Sequence, residues 1–596
     1  MSSAKRFIFA RSLRAPGPGS HWVTCGAARD ANPRSGNGAA EVDLAEIFRT
    51  RGREWGTRLI ESLGELNRRN ASPAWWAHAS TAKNLLSSDL GDRLLELMAL
   101  TEIADRQEVT ELHVLGATRG QIEAFTAWAR ARGYECRFAS PGLREWCADH
   151  VAAPLRLAGQ VLRLLVAFRT GTWRAPAPAA VDVCLFTYFD APLRTGFDTY
   201  FGPLREMIRA ASPLRRVHYL SYIPPPYRTR LRRLRSLAEE YSPLFAQLTA
   251  TDMLKAYADA RRAQSLARFD LEVAIDSVPI GPVVAQALRE DVWDRGLLHH
   301  LLILRAATVF FTRHQPALLV YPYENKSLEK LLLSAVREAS PGTSVCGYQH
   351  SSITPRHLTL LFAPGEAAAT PLPDRIVTAG TVTRDYLAQH GHYPSGLLVA
   401  GCALRQRWRD APPKTAPGTP PRVLLALSSS VTELVRAVSW WHAAMSAGLA
   451  VELAVRPHPE FPLGHLPAAL RDWVRTAARD LSGTPLADNL DWCDVVAYVS
   501  STVGLEGLSA GRAVLHLDIG DPIDPDPLIG EPPFRWQAAQ ASGLASALAD
   551  MAALSRETWA RQAAAAREYA RNYLRPPTPD CVAAFLDTPA PGARHG

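Results

Sequence analysis

The chain has 596 residues, and its 66 Lys and Arg against 58 Asp and Glu leave a formal charge of +8, with a pI near 9.1. At 47% hydrophobic and 21% charged residues it is ordinary globular material, long enough for roughly three or four compact units, which excludes a single small core, wholesale disorder and a collagen-like or disulfide scaffold. So dilute a positive excess does not announce nucleic-acid binding, and any anionic partner has to be argued from local sequence.

The opening MSSAKRFIFARSLRAPGPG is basic, with an apolar run only from Phe7 to Ala10, too short for the core of a secretory signal. No long uncharged apolar run appears, so the expectation is a cytoplasmic protein, soluble or peripheral at the inner face of the membrane. Cys25, Cys136, Cys147, Cys184, Cys346, Cys402, Cys493 and Cys581 are scattered without CxxC or zinc-site spacing, which predicts reduced thiols and no metal site.

Residues 1–150 are expected to form an N-terminal α/β accessory domain, with a strand at Glu111 to Ala117 and a helix after it. In 151–180, VAAPLRLAGQVLRLLVAFR carries Arg156, Arg163 and Arg169 along a Leu/Val-rich helix. It suits an interfacial membrane helix or a packed interdomain one, and APAPAA closes it as a linker. From 181 to 410 the apolar runs VDVCLFTYF, RRVHYLSYI, ALLVYPYE, TSVCGYQHS, DRIVTAG and GLLVAG alternate with helical spacing, interrupted by a helical insertion from about Arg228 to Gln315. A second Pro-rich linker, 411–421, precedes a further alternating segment, 422–575, with RVLLALSSS, VELAVRPHP, DVVAYVSS and AVLHLDI. The pattern predicts an α/β protein with two Rossmann-like domains facing a cleft. Residues 576–596 read as a flexible tail.

Ligands of open parallel sheets bind beyond the carboxyl ends of the strands, so the polar residues there are the site candidates. In VRPHPEF, Arg456 and His458 suit a phosphate oxygen, although a lone His there equally caps a helix or bonds a loop carbonyl. In YVSSTVGLEGLSAG, Ser500, Ser501 and Thr502 open a helix as an anion site and Glu506 reaches toward ribose hydroxyls; the same pattern also makes an ordinary capped helix. In VYPYENKSLEK, Glu324, Asn325 and Lys326 end a strand, and Gln349 and His350 end the next; Asn325, Lys326 and Gln349 are acceptor-side candidates, with 181–410 expected to be the acceptor-side domain and 422–575 the nucleotide-sugar-binding one. Glu324 is the first candidate for a general base acting on an acceptor hydroxyl, Asp190 in FTYFDAPLR the second and His350 the third, with helix-end charge compensation the alternative for both acids. DPIDPD, at Asp521 to Asp526, reads as a surface turn rather than a metal-bridging motif.

At SPAWWAHASTAKN (with Trp75, Trp76, Lys83 and Asn84), VYPYENKSLEK, GYQHSSITPRH, RPHPEF and VSSTVGLEGLSAGRAVL the chain resembles the GT-B superfamily of glycosyltransferases, and more narrowly a bacterial surface carbohydrate biosynthesis family related to capsule-type transferases. The resemblance implies metal-independent transfer of a sugar from a nucleotide-activated donor to a glycan or lipid-linked acceptor, without a further cofactor. His458 with Pro459, and Ser500 to Thr502, match the two motifs that bind a CMP-activated sugar in sialyltransferases and Kdo transferases of this fold, whose acidic base motif has no counterpart here. An epimerase or polyol-phosphate transferase of the same fold is the alternative enzyme, and a membrane-surface scaffold the non-catalytic one.

Overall fold

The computed structural model describes residues 5–10, 21–25, 40–42, 44–138 except 86 and 108, then 155, 158–159 and 162, 180–189, 198–405 except 225–229, 231–233, 235–236, 238–239, 264 and 294–295, and finally 414 and 416–587. Asp190, most of the basic helix of 151–169 and most of the Arg-rich stretch after Arg228 lie outside the described residues.

Three parallel sheets organise the chain. The first contains β1 (Arg6–Ala10), β2 (His21–Thr24), β3 (Ala40–Glu41), β4 (Glu111–Leu115) and β5 (Glu135–Phe138), in the order β3-β2-β4-β1-β5. The short apolar run near the start is thus a sheet strand, with Phe7 and Phe9 packing edge-on against Phe125.

The second sheet is built from β6 (Val183–Tyr188), β7 (Val217–Tyr222) and β8 (Tyr241–Pro243) and, after a small antiparallel hairpin of β9 (Ala274–Ile275) and β10 (Val278–Pro279), from β11 (Leu318–Pro322), β12 (Ser344–Gln349), β13 (Arg375–Thr378) and β14 (Leu398–Ala400). Its order is β14-β13-β12-β11-β6-β7-β8. The third sheet takes β15 (Arg422–Ala426), β16 (Glu452–Arg456), β17 (Arg479–Asp480), β18 (Val495–Tyr498), β19 (Ala513–Leu517) and β20 (Arg535–Ala538) in the order β17-β16-β15-β18-β19-β20. Numbered from the first strand of each, both sheets run 3-2-1-4-5-6, with one strand added at the far edge of the second. This is the Rossmann order, and the protein is α/β with two such units.

The insertion is not purely helical. Helices Ala250–Arg262, Gly281–Trp293 and Gly296–His314 share it with β8, a short edge strand that local periodicity does not reveal. Two expectations need correction. The segment after 575 contains a helix, Pro579–Leu586, whose Cys581, Val582 and Phe585 are buried, Phe585 against Tyr348. DPIDPD is no surface turn either: Asp526 is 2% exposed and accepts from Tyr498 Oη at 2.9 Å and Arg535 Nε at 2.8 Å. Paired charge makes burial of so polar a segment tolerable.

The N-terminal unit packs on both others. Its long helix, Leu44–Asn70, lies so close to Pro522 at Gly52 and to Ala363 at Gly64 that neither position has room for a Cβ. The SPAWWAHASTAKN segment supplies a short helix capped by Ser72 and the left-handed Lys83. Lys83 Nζ meets Glu366 Oε2 and Leu361 O, each at 2.6 Å, while Asn67 Nδ2 donates to Glu366 Oε1 at 2.6 Å and Asn67 Oδ1 accepts from Trp75 Nε1. Lys330 lies 4.4 Å from the Trp76 ring, and Ser327 Oγ donates to His78 O at 2.9 Å. The motif is therefore an interdomain joint, and its Trp and Lys side chains are consumed by packing. The seven described cysteines form no disulfide, and no described helix is long and apolar enough to cross a membrane.

Candidate active site

In a sheet of Rossmann order the crevice opens where chain direction reverses. That point falls between β6 and β11 in the second sheet and between β15 and β18 in the third.

Strand register decides which residues meet at the first. Pro322 pairs with Tyr348 across β11 and β12, so Glu324 and His350, each two residues further on, emerge side by side. Glu324 Oε1 is 3.0 Å from His350 Nε2, and Glu324 Oε2 pairs with Lys326 Nζ. Because a carboxylate only accepts, Nε2 carries the hydrogen and Nδ1 presents the lone pair. Nδ1 is enclosed and has no hydrogen-bond partner among the described residues, and the Tyr200 ring stands edge-on to the imidazole at 5.0 Å. Asp198 builds the turn that holds Tyr200, accepting from the N–H groups of Tyr200 and Phe201 and from Thr187 Oγ1. Asn325, buried with φ 56, anchors the facing loop by donating to Thr359 O at 2.6 Å, and buried Gln349 donates to Ser351 O.

Glu329, in the first turn of the helix Ser327–Ala339, accepts the Glu324 N–H at 2.9 Å and the Tyr188 hydroxyl at 3.2 Å. Burial pushes its carboxyl up, the Glu324 charge adds to this, and it titrates at about 8. Burial pushes Glu324 up too, but the His350 bond and the Lys326 ammonium outweigh it and bring Glu324 to about 2. At neutral pH one carboxyl is ionised and the other holds its proton. Relative to an ordinary value of 4.5, a raised carboxyl is harmless below that pH and destabilises progressively as pH rises toward 8, because the unfolded chain releases its proton first. Glu329→Gln has no such proton to lose. Thermal melts from about pH 5 to about pH 8 should show the variant gaining on the wild type; a constant difference would remove Glu329 from that role.

In the third sheet Ala426 pairs with both Arg456 and Tyr498, which brings His458, Ser428 and Ser500 level across three strand ends. Ser500 Oγ donates to Glu433 Oε2 at 2.7 Å, and Ser428 Oγ donates to the same oxygen. Glu433, buried in the first turn of the helix Val431–Ser446, thus ties the two sides of the crevice together, and burial raises its carboxyl. Arg456 is spent on the scaffold, its Nη1 donating to Thr484 O at 2.6 Å and Asn489 Oδ1 at 2.8 Å. His458 Nδ1 accepts the Glu460 N–H at 3.3 Å. Ser501 Oγ accepts the Val503 N–H at 3.4 Å, and exposed Thr502 starts the seven-residue helix Val503–Ser509 without a side-chain cap bond. Burial raises the Glu506 carboxyl against the opposing pull of Arg456.

The two crevices share one space. His350, Ser351, Ser352 and Arg405 from the second sheet's unit and Thr502 and Glu506 from the third line a cleft of about 140 Å³. Of the sequence candidates, Glu324, Lys326 and His350 form one cluster and Thr502 and Glu506 face it, whereas Asn325, Gln349 and Arg456 point into the scaffold. Sequence reasoning passed over Glu329, Ser428, Glu433 and Arg405. The serines of LSSS were within reach, standing at a strand end like those of VSST; Glu433 and Glu329 read as common first-turn acids.

No family model matches the chain, and no curated protein matches it by sequence. Among solved structures it is similar to the apo form of the lipopolysaccharide outer core galactosyltransferase WaaB, at 8% identity over 68% of this chain and 98% of that one, with a TM-score of 0.39. It is also similar to a glycosyltransferase from Rickettsia africae ESF-5 (9% identity, 69% and 100%, TM-score 0.36) and to the UDP-GlcNAc 2-epimerase from Neisseria meningitidis bound to UDP-GlcNAc (9% identity, 68% and 99%, TM-score 0.36). These likenesses are distant, and the fold assignment rests on the strand orders given above.

Proposed function

We propose that the protein is a GT-B-type glycosyltransferase of surface polysaccharide biosynthesis, moving a sugar from a nucleotide-activated donor to a glycan or lipid-linked acceptor. The observation that carries this reading is the opening of two Rossmann switch points onto one cleft, with a carboxylate-oriented imidazole on one wall and hydroxyl and carboxyl groups on the other. In the reaction the acceptor hydroxyl, entering where the groups that enclose His350 Nδ1 give way to it, passes its proton to Nδ1 while its oxygen bonds to the anomeric carbon. The bond from that carbon to the donor phosphate breaks, and the phosphate leaves with the electron pair. Glu324 holds the imidazole in the required tautomer and supports the imidazolium that forms. This exchanges the roles first given to Glu324 and His350: a carboxylate already answered by His350 and Lys326 is a weak base. Thr502, Glu506 and His458 face the nucleotide, and the resemblance described above favours a CMP-linked donor. Exposed Leu155 and Leu162 support peripheral contact with the membrane bearing a lipid-linked acceptor.

The test is a panel of CMP-, UDP-, GDP- and CDP-linked sugars. A donor present at a hundred times its dissociation constant should stabilise the fold by about 2.7 kcal/mol, and a glycosylated acceptor should then appear on incubation. An isomerised sugar formed without acceptor consumption would instead make the protein an epimerase, and a panel without any stabilising member would end the nucleotide-sugar reading.

A further inference from the structure

Transfer from a nucleotide donor leaves a negative charge on phosphate, and a cleft that holds it requires a cation near the breaking bond. Arg456 looks suited from sequence, yet its Nη1 is committed to Thr484 and Asn489 and it is not among the residues lining the cleft. Lys326 is neutralised by Glu324. Among the described residues lining the cleft, Arg405 is the one Lys or Arg. It forms no ion pair with a described residue, and its direction is set from two sides: Nη1 donates to Thr199 O at 2.8 Å, and the guanidinium lies 5.5 Å from the centre of the Tyr200 ring. The same Tyr200 ring stands against His350. A single aromatic side chain therefore spaces a cation from the imidazole, and the hydroxyls of Ser351, Ser352 and Thr502 share the cleft with both.

We propose that Arg405, reaching in from the acceptor-side domain, binds and neutralises the phosphate of the nucleotide-linked substrate. The proposal rests on the nucleotide-sugar reading and adds to it a phosphate ligand from the domain opposite the nucleotide. The planar fork of Arg suits two phosphate oxygens, with Nη1 kept in place by Thr199 while the remaining N–H groups face the ligand.

Calorimetric titration of the full-length protein with CMP and UDP, and in parallel with cytidine and uridine, tests it. In the wild type a phosphate ligand makes at least one nucleotide bind more tightly than its nucleoside. Arg405→Gln should erase roughly tenfold to a hundredfold of that preference and leave nucleoside affinity unchanged. Arg405→Lys should retain part of it, and the exposed Arg475→Gln all of it. An Arg405→Gln protein that keeps the wild-type ratio overturns the assignment while the nucleotide-sugar reading stands. A wild type that binds neither nucleotide more tightly than its nucleoside overturns both.

Discussion

Replacement of His350 by Gln should lower turnover by roughly two to four orders of magnitude and leave nucleotide affinity within about twofold of wild type, as expected when a group acting in the transition state is removed. Gln fills much of the imidazole's space and can still bond Glu324, so a loss of activity would not come from a collapsed wall. Glu324→Gln gives a complementary result. Its amide N–H would donate to Nε2 and move the imidazole hydrogen to Nδ1, where the acceptor proton must go. Turnover should therefore fall although no reacting group has been deleted, as happens when a catalytic His is held in the wrong tautomer. Steady-state kinetics on both variants check this. A His350→Gln enzyme with most of its turnover would pass the role of base to another group, Asp190 being the next candidate from sequence.

The second large effect belongs to stability. Lys83 and Glu366 are each 1% exposed and face one another at 2.6 Å. Burial acts to raise the Glu366 carboxyl, but the Lys83 ammonium, with Asn67 and the Ala363 N–H, holds it below the ordinary carboxylate range. Lys83→Met removes the answering charge and strands a buried carboxylate, a change that costs about 3–5 kcal/mol. Against the roughly 5–15 kcal/mol that separates a typical domain from its unfolded state, the joint between the first and second units should melt far earlier. Adding Glu366→Gln removes the stranded charge and should restore part of the loss. Thermal melts of the single and double variants decide it; a single variant that melts with the wild type would leave the pair without a stabilising role.

The strands that frame the cleft were legible because parallel strands buried on both faces read as continuous apolar runs. All five residues of β11 are buried, as are all five of β19. Once such runs are placed, the first polar residues beyond each end are site candidates, as His350, one position past β12, and His458 and Ser500, two past β16 and β18, are. Short edge strands escaped, since β17 is two exposed residues, Arg and Asp, and β8 is Tyr-Ser-Pro. Local sequence could not show long-range answers to charge either. Asp526 reads as a turn former until Tyr498 and Arg535 are brought to it, and Glu324 reads as a base until His350 and Lys326 are. Nor could it show that SPAWWAHASTAKN addresses another part of the same chain rather than a ligand.

The helix Leu44–Asn70 has a mechanical consequence. From Gly52, against Pro522 of the third sheet's unit, to Gly64, against Ala363 of the second's, it runs twelve residues, about 18 Å at 1.5 Å per residue. A rigid rod seated at both ends resists a change in the gap it spans. Swinging the two Rossmann units apart like a book would unseat one end of this helix. Widening the cleft requires one of these two seats to slide or to let go.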